Sequence, residues 1–332
     1  MSWQSADGKK STNVRFITTT LVAGLLILSP IRPAHAQSPG APVFEFYVPV
    51  VSAAELAIRR GARLATAGHW TEAHVAFLDA VRMEPSLAAA HYNLGVSLDA
   101  LGRHLDALRA YQGALRRDPQ LLEARINLGI ALLQVGRPAE ALAHLTRATQ
   151  AAPHQAVTHL NLGLALAQCG RLDEALRALG RAADLDPRDP AIRRALAVTH
   201  HNVGVDLTSR GHLKEALVRY RAALAVEPHF PEALNGMGVV FARLNDDGAA
   251  LAMYNKALSQ RPEYVEARYN MARSLAVQAR YGEAIAACRE VLRTRPDLTQ
   301  ARMLLWSLER MAGASRLAEA EPLAPQPVTT LR

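Results

Sequence analysis

Residues 88–121 read AAAHYNLGVSLDALGRHLDALRAYQGALRRDPQL, and this stretch decides the architecture. Apolar and small residues fall at Leu94, Gly95 and Leu98 and again at Ala107, Tyr111 and Ala114, the spacing of two amphipathic helices. Gly95, Ala107 and Ala114 let two backbones approach closely, and Leu94 supplies a packed side chain. Pro119 cannot continue the second helix and pushes the residue before it out of α geometry, which forces a turn into the next segment.

That next segment repeats the pattern. Glycines at 61, 95, 129 and 163 stand 34 residues apart, accompanied in register by Gly68, Gly102, Gly136 and Gly170, by Ala73, Ala107, Ala141 and Ala175, and by Pro85, Pro119, Pro153 and Pro187. After a seven-residue slip the frame resumes with Gly204, Gly211, Ala216 and Pro228, then Gly238, Ala250 and Pro262, then Ala284 and Pro296. Seven units result, at 54–87, 88–121, 122–155, 156–189, 197–230, 231–264 and 265–298. A period of this length is the mark of a stacked repeat, in which each hairpin buries its apolar face against its neighbours.

Numbered within a unit, these residues are Leu-Gly at positions 7 and 8, Gly at 15, Ala at 20, an aromatic at 24, Ala at 27 and Pro at 32. In that arrangement the chain resembles the tetratricopeptide repeat family over 54 to about 313. The resemblance implies an all-α, right-handed solenoid of seven helix-turn-helix repeats, closed by a C-terminal capping helix at 299–313 carrying Met303, Leu304, Leu305, Trp306 and Leu308. Two departures stand out. The family's Trp at position 4 is replaced by Ala57, His91, Arg125, His159, His200, Leu234 and Arg268, and the last two units lose glycines at Asn245, Ala272 and Ala279.

The flanks are read separately. Lys9, Lys10 and Arg15 precede an apolar run from Phe16 to Leu28, and Ala34-His35-Ala36 offers small residues at a cleavage site. Residues 1–36 are therefore expected to be a secretory signal peptide cut after Ala36, giving a periplasmic or secreted chain. The apolar run is shorter than the roughly 20 residues of a spanning helix, although an uncleaved anchor stays open as the alternative. A leader at 37–53 comes next, with the apolar run Val43-Phe44-Glu45-Phe46-Tyr47-Val48, and Ser52 with Glu55 forms a capping box for the first helix. Residues 190–196, opened by Pro190 with Asp189 as cap, are expected to extend the next helix by two turns and present Arg193 and Arg194 from one rim, an inter-repeat loop being the alternative. Residues 314–332, rich in Ala and Pro, are expected to be disordered.

Composition narrows function. With 332 residues, 50% hydrophobic and only 5% aromatic, wholesale disorder and an aromatic-rich β-sandwich are excluded. The formal charge of +8 falls to +5 once Lys9, Lys10, Arg15, Arg32 and Asp7 are removed with the signal, too thin an excess to argue for nucleic acid. Cys169 and Cys288 are too few for a disulfide framework and read as small core residues. No phosphate loop, nucleophile elbow or His-Glu-x-x-His occurs, and His91, His159 and His200 sit in separate units, so no catalytic residue, cofactor or metal is expected.

The remaining signal lies on the first helix of each unit. Position 6 reads Arg59, Asn93, Asn127, Asn161, Asn202, Gly236 and Asn270, and position 9 adds Val96, Ile130, Leu164, Val205 and Val239. A carboxamide offers both donors and an acceptor to a peptide backbone, so this ladder is the expected peptide groove. It resembles the repeat domain of O-linked N-acetylglucosamine transferases, where such asparagines contact substrate peptide; no transferase domain accompanies it here. The competing reading is that the asparagines bond neighbouring repeats. The expectation is a non-enzymatic interaction scaffold of the cell envelope that takes an extended segment or helix of a protein partner, and is itself a possible oligomer. The alternative is a structural subunit of an envelope or secretion assembly.

Overall fold

The computed structural model describes residues 51–320, and the expected signal peptide, residues 37–50 and residues 321–332 lie outside them. Contacts divide the chain into two compact units, one ending at Ile192 and one beginning at Arg193. The first holds four helical hairpins: α1 (Ala53–Thr66) with α2 (Trp70–Met83), α3 (Ala88–Ala100) with α4 (His104–Arg117), α5 (Leu122–Gln134) with α6 (Pro138–Ala151), and α7 (Ala156–Gln168) with α8 (Leu172–Leu185). The second contains most of α9 (Pro190–Ser209), then α10 (Leu213–Val226), α11 (Pro231–Arg243), α12 (Asp247–Gln260), α13 (Val265–Val277), α14 (Tyr281–Thr294) and α15 (Thr299–Ala320). The odd-numbered helices α1 to α13 are the A helices of the repeats, and the even-numbered are the B helices.

Within a hairpin the backbones approach where glycine faces a large side chain. A Cβ added at Gly95 would lie 2.5 Å from the buried Tyr111 ring, so the close approach of α3 to α4 requires glycine there. Repeat seven solves the same contact in reverse: position 8 is Ala272 and position 24 is Cys288, both fully buried in one cluster. The methyl group gained on α13 is matched by the aromatic ring lost on α14. This accounts for both the missing glycine and the cysteine, whose thiol burial pushes up to about 11.

The A-to-B turns are Schellman motifs. The Gly102 amide donates to the Asp99 carbonyl at 2.9 Å and the Arg103 amide to the Leu98 carbonyl at 2.8 Å, with Gly102 at φ 74°. The B-to-A junctions explain the basic residues that replace Trp at position 4. His91 Nε2 lies 3.0 Å from the Pro85 carbonyl and His159 Nε2 2.9 Å from that of Pro153, while Arg125 and Arg268 donate to the carbonyls of Pro119 and Pro262. Each side chain satisfies an acceptor that the broken helix leaves over.

Three boundaries are set by local chemistry. Ser52 Oγ accepts from the Glu55 amide at 3.1 Å, and the Glu55 carboxylate accepts from the Ser52 amide, a complete capping box. The Asp189 carboxylate accepts from the Ala191 amide at 2.7 Å and starts α9, in which residues 190–209 form one continuous helix. Of the two arginines expected at the rim, Arg193 is exposed but Arg194 is not presented: it is half-buried with its guanidinium 4.7 Å from the Phe230 ring centroid, and Ile192 and Ala195 on the same extension are buried. The last helix also corrects expectation, since α15 runs to Ala320 rather than giving way to disorder at 314. Its continuation holds Ala314, Leu317, Ala318 and Ala320, strong helix formers.

Candidate functional site

The A helices carry the position-6 ladder, and the two units treat it differently. In the first unit Asn93 and Asn161 are sealed, at 0% and 1% exposure, and Asn161 Nδ2 donates to its own helix at the Val157 carbonyl, 2.9 Å away. Asn127 is half-buried and its Nδ2 donates to the Tyr92 hydroxyl of the preceding repeat at 3.3 Å. Val96 is buried, while Ile130 and Leu164 remain partly exposed. For Asn93 and Asn161 the structure therefore overturns the expected groove contacts, because neither carboxamide presents a surface to a ligand.

The second unit is more open. Asn202, Val239 and Asn270 are half-buried and Val205 is 48% exposed. Asn270 Nδ2 donates to Asn235 Oδ1 at 3.0 Å, again reaching back one repeat. The ladder is interrupted at Gly236 for a steric reason: an added Cβ there would lie 2.6 Å from the Tyr220 ring. Tyr220 in turn has its hydroxyl 3.3 Å from that of Thr208.

A regularity missed in the sequence joins four of the position-6 asparagines to position 5 of the repeat before; Asn202, which follows the apolar Leu160 and is nonetheless half-buried, departs from it. Asn93 comes after Ile58 and Asn161 after Ile126, both apolar; Asn127 comes after Tyr92 and Asn270 after Asn235, which supply a hydrogen-bonding partner. In the fifth repeat position 5 is His201, seated with its ring 5.6 Å from Tyr220 and 5.4 Å from Phe230. Burial pushes that imidazole down to about 4, the Glu232 carboxylate opposing the shift and Arg194 adding to it. Glu232 accepts from Arg261 at 2.8 Å. Elsewhere, Asp99 accepts from the Tyr111 hydroxyl at 2.8 Å and lies 3.0 Å from His104 Nδ1, and its carboxyl is raised by burial against both contacts. These perturbed groups sit under aromatic rings and helix ends, and burial is the largest cause in each.

Among the described residues no group of three or more His, Cys, Asp or Glu side chains is arranged to hold a metal ion, and no helix is long and apolar enough to cross a membrane.

Family models described as tetratricopeptide repeat match residues 58–121, 132–198 and 246–305, and one described as TPR repeat matches 206–245, together more than half of the chain. The chain belongs to the tetratricopeptide repeat family. No curated protein matches the sequence. Among solved structures, a tetratricopeptide repeat protein from Parabacteroides merdae is similar at 16% identity and TM-score 0.50, with 77% of this chain and 98% of that one covered. YrrB, a TPR protein with an unusual peptide-binding site, is 25% identical at TM-score 0.46, over 57% of this chain and 95% of its own. MamA is 24% identical at TM-score 0.43, over 51% and 95%. Tetratricopeptide repeats are interaction modules, and this chain is an interaction scaffold in that general sense.

Proposed function

We propose that this protein is a non-enzymatic scaffold of the cell envelope that captures an extended segment of a protein partner on the A helices of its second unit. The observation that carries this reading is the row Asn202, Val205, Asn235, Val239 and Asn270, in which part-exposed carboxamides alternate with apolar side chains and Val205 is 48% exposed. Carboxamides supply backbone hydrogen bonds without reading sequence, and the valines supply apolar contact between them. The first unit contributes less, since its two sealed asparagines are structural. Placement in the envelope rests on residues 1–36 and would be seen as a mature N-terminus at Gln37.

A photo-crosslinking residue placed at Val205, with another at the similarly exposed Val75 on a B helix as control, tests the site. Crosslinks mapped by mass spectrometry to one partner segment from position 205 and not from 75 are the expected result. Val205→Asp should lower capture about tenfold, the size of losing one central apolar anchor, with helical circular dichroism unchanged. Crosslinks from 75 alone would move the binding face off the A helices.

A further inference from the structure

The last helix keeps one side uncovered. In the seven repeats position 8 of the A helix is glycine or, in the seventh, Ala272, because helix B of the same repeat packs against it: a Cβ added at any of the six glycines would lie 2.4–2.7 Å from the side chain at position 24. Helix α15 begins the same frame an eighth time. Ala301 at its position 3 is fully buried, and Leu304, Leu305 and Leu308 pack into the cluster that holds Ala272 and Cys288. Its position 8, however, is Trp306, which is 62% exposed, and Met303 one turn before it is 67% exposed. Among the described residues no helix follows to cover them.

Trp306 restricts what can cover this side. A helix as close as a B helix would meet the indole where the repeats admit only hydrogen or a methyl group, so the cover stands at the wider end of the roughly 8–10 Å between packed helices. The flanking charges indicate whose helix it is. Arg302 and Glu309 are both exposed and lie seven residues apart, nearly two turns, along one edge of the Met303–Trp306 stripe. Arg302 reaches the Asp297 carbonyl at 3.4 Å and Glu309 accepts from Arg289 at 2.9 Å, both pairings open to solvent. A stripe with its cation toward one end and its anion toward the other is complementary to itself turned end for end, the condition for a two-fold contact.

We propose that α15 docks on α15 of a second copy, antiparallel about a two-fold axis, with Met303 of each copy against Trp306 of the other and Arg302 of each against Glu309 of the other. The register follows from antiparallel packing. When Met303 and Trp306 share a layer, the edge residues that meet are the one before the first and the one three after the second, which are Arg302 and Glu309. Arg310, with its guanidinium 4.7 Å from the Trp306 ring centroid, orients that indole without burying it. The contact uses none of the row from Asn202 to Asn270, so it is independent of the peptide site.

Sedimentation of the full-length protein over two decades of concentration tests the dimer. One helix face per copy is small for a stable interface, so half-association is expected on the order of 10 μM. Trp306→Ala should weaken association at least about tenfold while leaving the thermal unfolding of dilute protein unchanged. Arg302→Glu alone and Glu309→Arg alone should each weaken it about fivefold at low salt, because like charges then meet twice. Mixing equal amounts of these two variants should restore the wild-type association, since every cation again faces an anion. A monomer at all concentrations would overturn the proposal. Association that Trp306→Ala leaves intact, or that mixing the two charge variants fails to restore, would overturn it equally by placing the contact between copies on another surface.

Discussion

The two units share one repeat frame yet spend its freedom differently. The first keeps glycine at every A-to-B turn and seals Asn93 and Asn161, whereas the second tolerates Asn245 and Ala279 at left-handed turns and leaves Asn202, Val205 and Asn270 part-exposed. The difference teaches that a repeat position has no fixed role: its neighbour in the adjoining repeat assigns one. Position 8 shows this for packing. Gly95 faces Tyr111 in the first unit and Ala272 shares a cluster with Cys288 in the second. Gly95→Ala should therefore cost about 3 kcal/mol in denaturant unfolding, since the methyl group must displace a buried ring. In the second unit Cys288→Tyr should cost about as much, and Ala272→Gly added to it should recover most of the loss. If the double substitution recovers nothing, the exchange of methyl for ring is not what relates the two sites.

A second contrast concerns charge. His201 is the position-5 residue of the second unit's first complete repeat, where the first unit places Ile58, Tyr92, Ile126 and Leu160. It is faced by Arg194 on its own helix, Tyr220 on α10, Phe230 before α11 and Glu232 on α11. Its imidazole titrates near 4 in the folded chain against 6.5 when exposed, so the unfolded state binds more protons between those values. The stability it contributes is complete above pH 6.5 and is lost as pH falls toward 4. Between about pH 7.5 and about pH 5 the loss should approach 2 kcal/mol. His74, His91, His144 and His200 are also lowered by burial and add to the slope. The measurement is thus the difference between wild type and His201→Gln, which should lose about 2 kcal/mol less over that interval; equal slopes would show that His201 does not control it.

These contrasts divide what the sequence could reveal from what it could not. Helix count and hairpin boundaries are written in single residues acting on their own backbone, such as Pro119, Gly102, the Ser52–Glu55 box and Asp189. The candidate site depends on residues 35 positions apart. Whether Asn127 and Asn161 are half-buried or sealed is decided by Tyr92 and Ile126, and reading position 5 beside position 6 of the next repeat would have separated them. Arg194 looks free in the sequence because nothing near it along the chain holds it down; Phe230, in the loop before α11, does.

The smallest effect isolates the turn itself. Asn245 at φ 60° and Ala279 at φ 56° occupy the place held by glycine in the other five repeats, and asparagine tolerates that region better than alanine. Ala279 keeps the full hydrogen bonding of the motif, with its amide 3.1 Å from the Ala276 carbonyl and the Arg280 amide 3.0 Å from that of Leu275. Nothing is therefore lost by removing its methyl group, and the left-handed strain of about 1 kcal/mol is relieved. Against this stands the extra conformational freedom glycine brings to the unfolded chain, worth roughly 0.4–1 kcal/mol. The strain should prevail narrowly, so Ala279→Gly is expected to raise stability by a few tenths of a kcal/mol. The mirror change Gly102→Ala adds that strain to a turn evolved without it, offset by the same unfolded-state gain, and should lower stability by a similar amount. Thermal unfolding of the pair under one buffer separates the two effects: shifts of opposite sign support strain as the larger, and a fall for Ala279→Gly would mean that the entropy of the unfolded chain governs these turns instead.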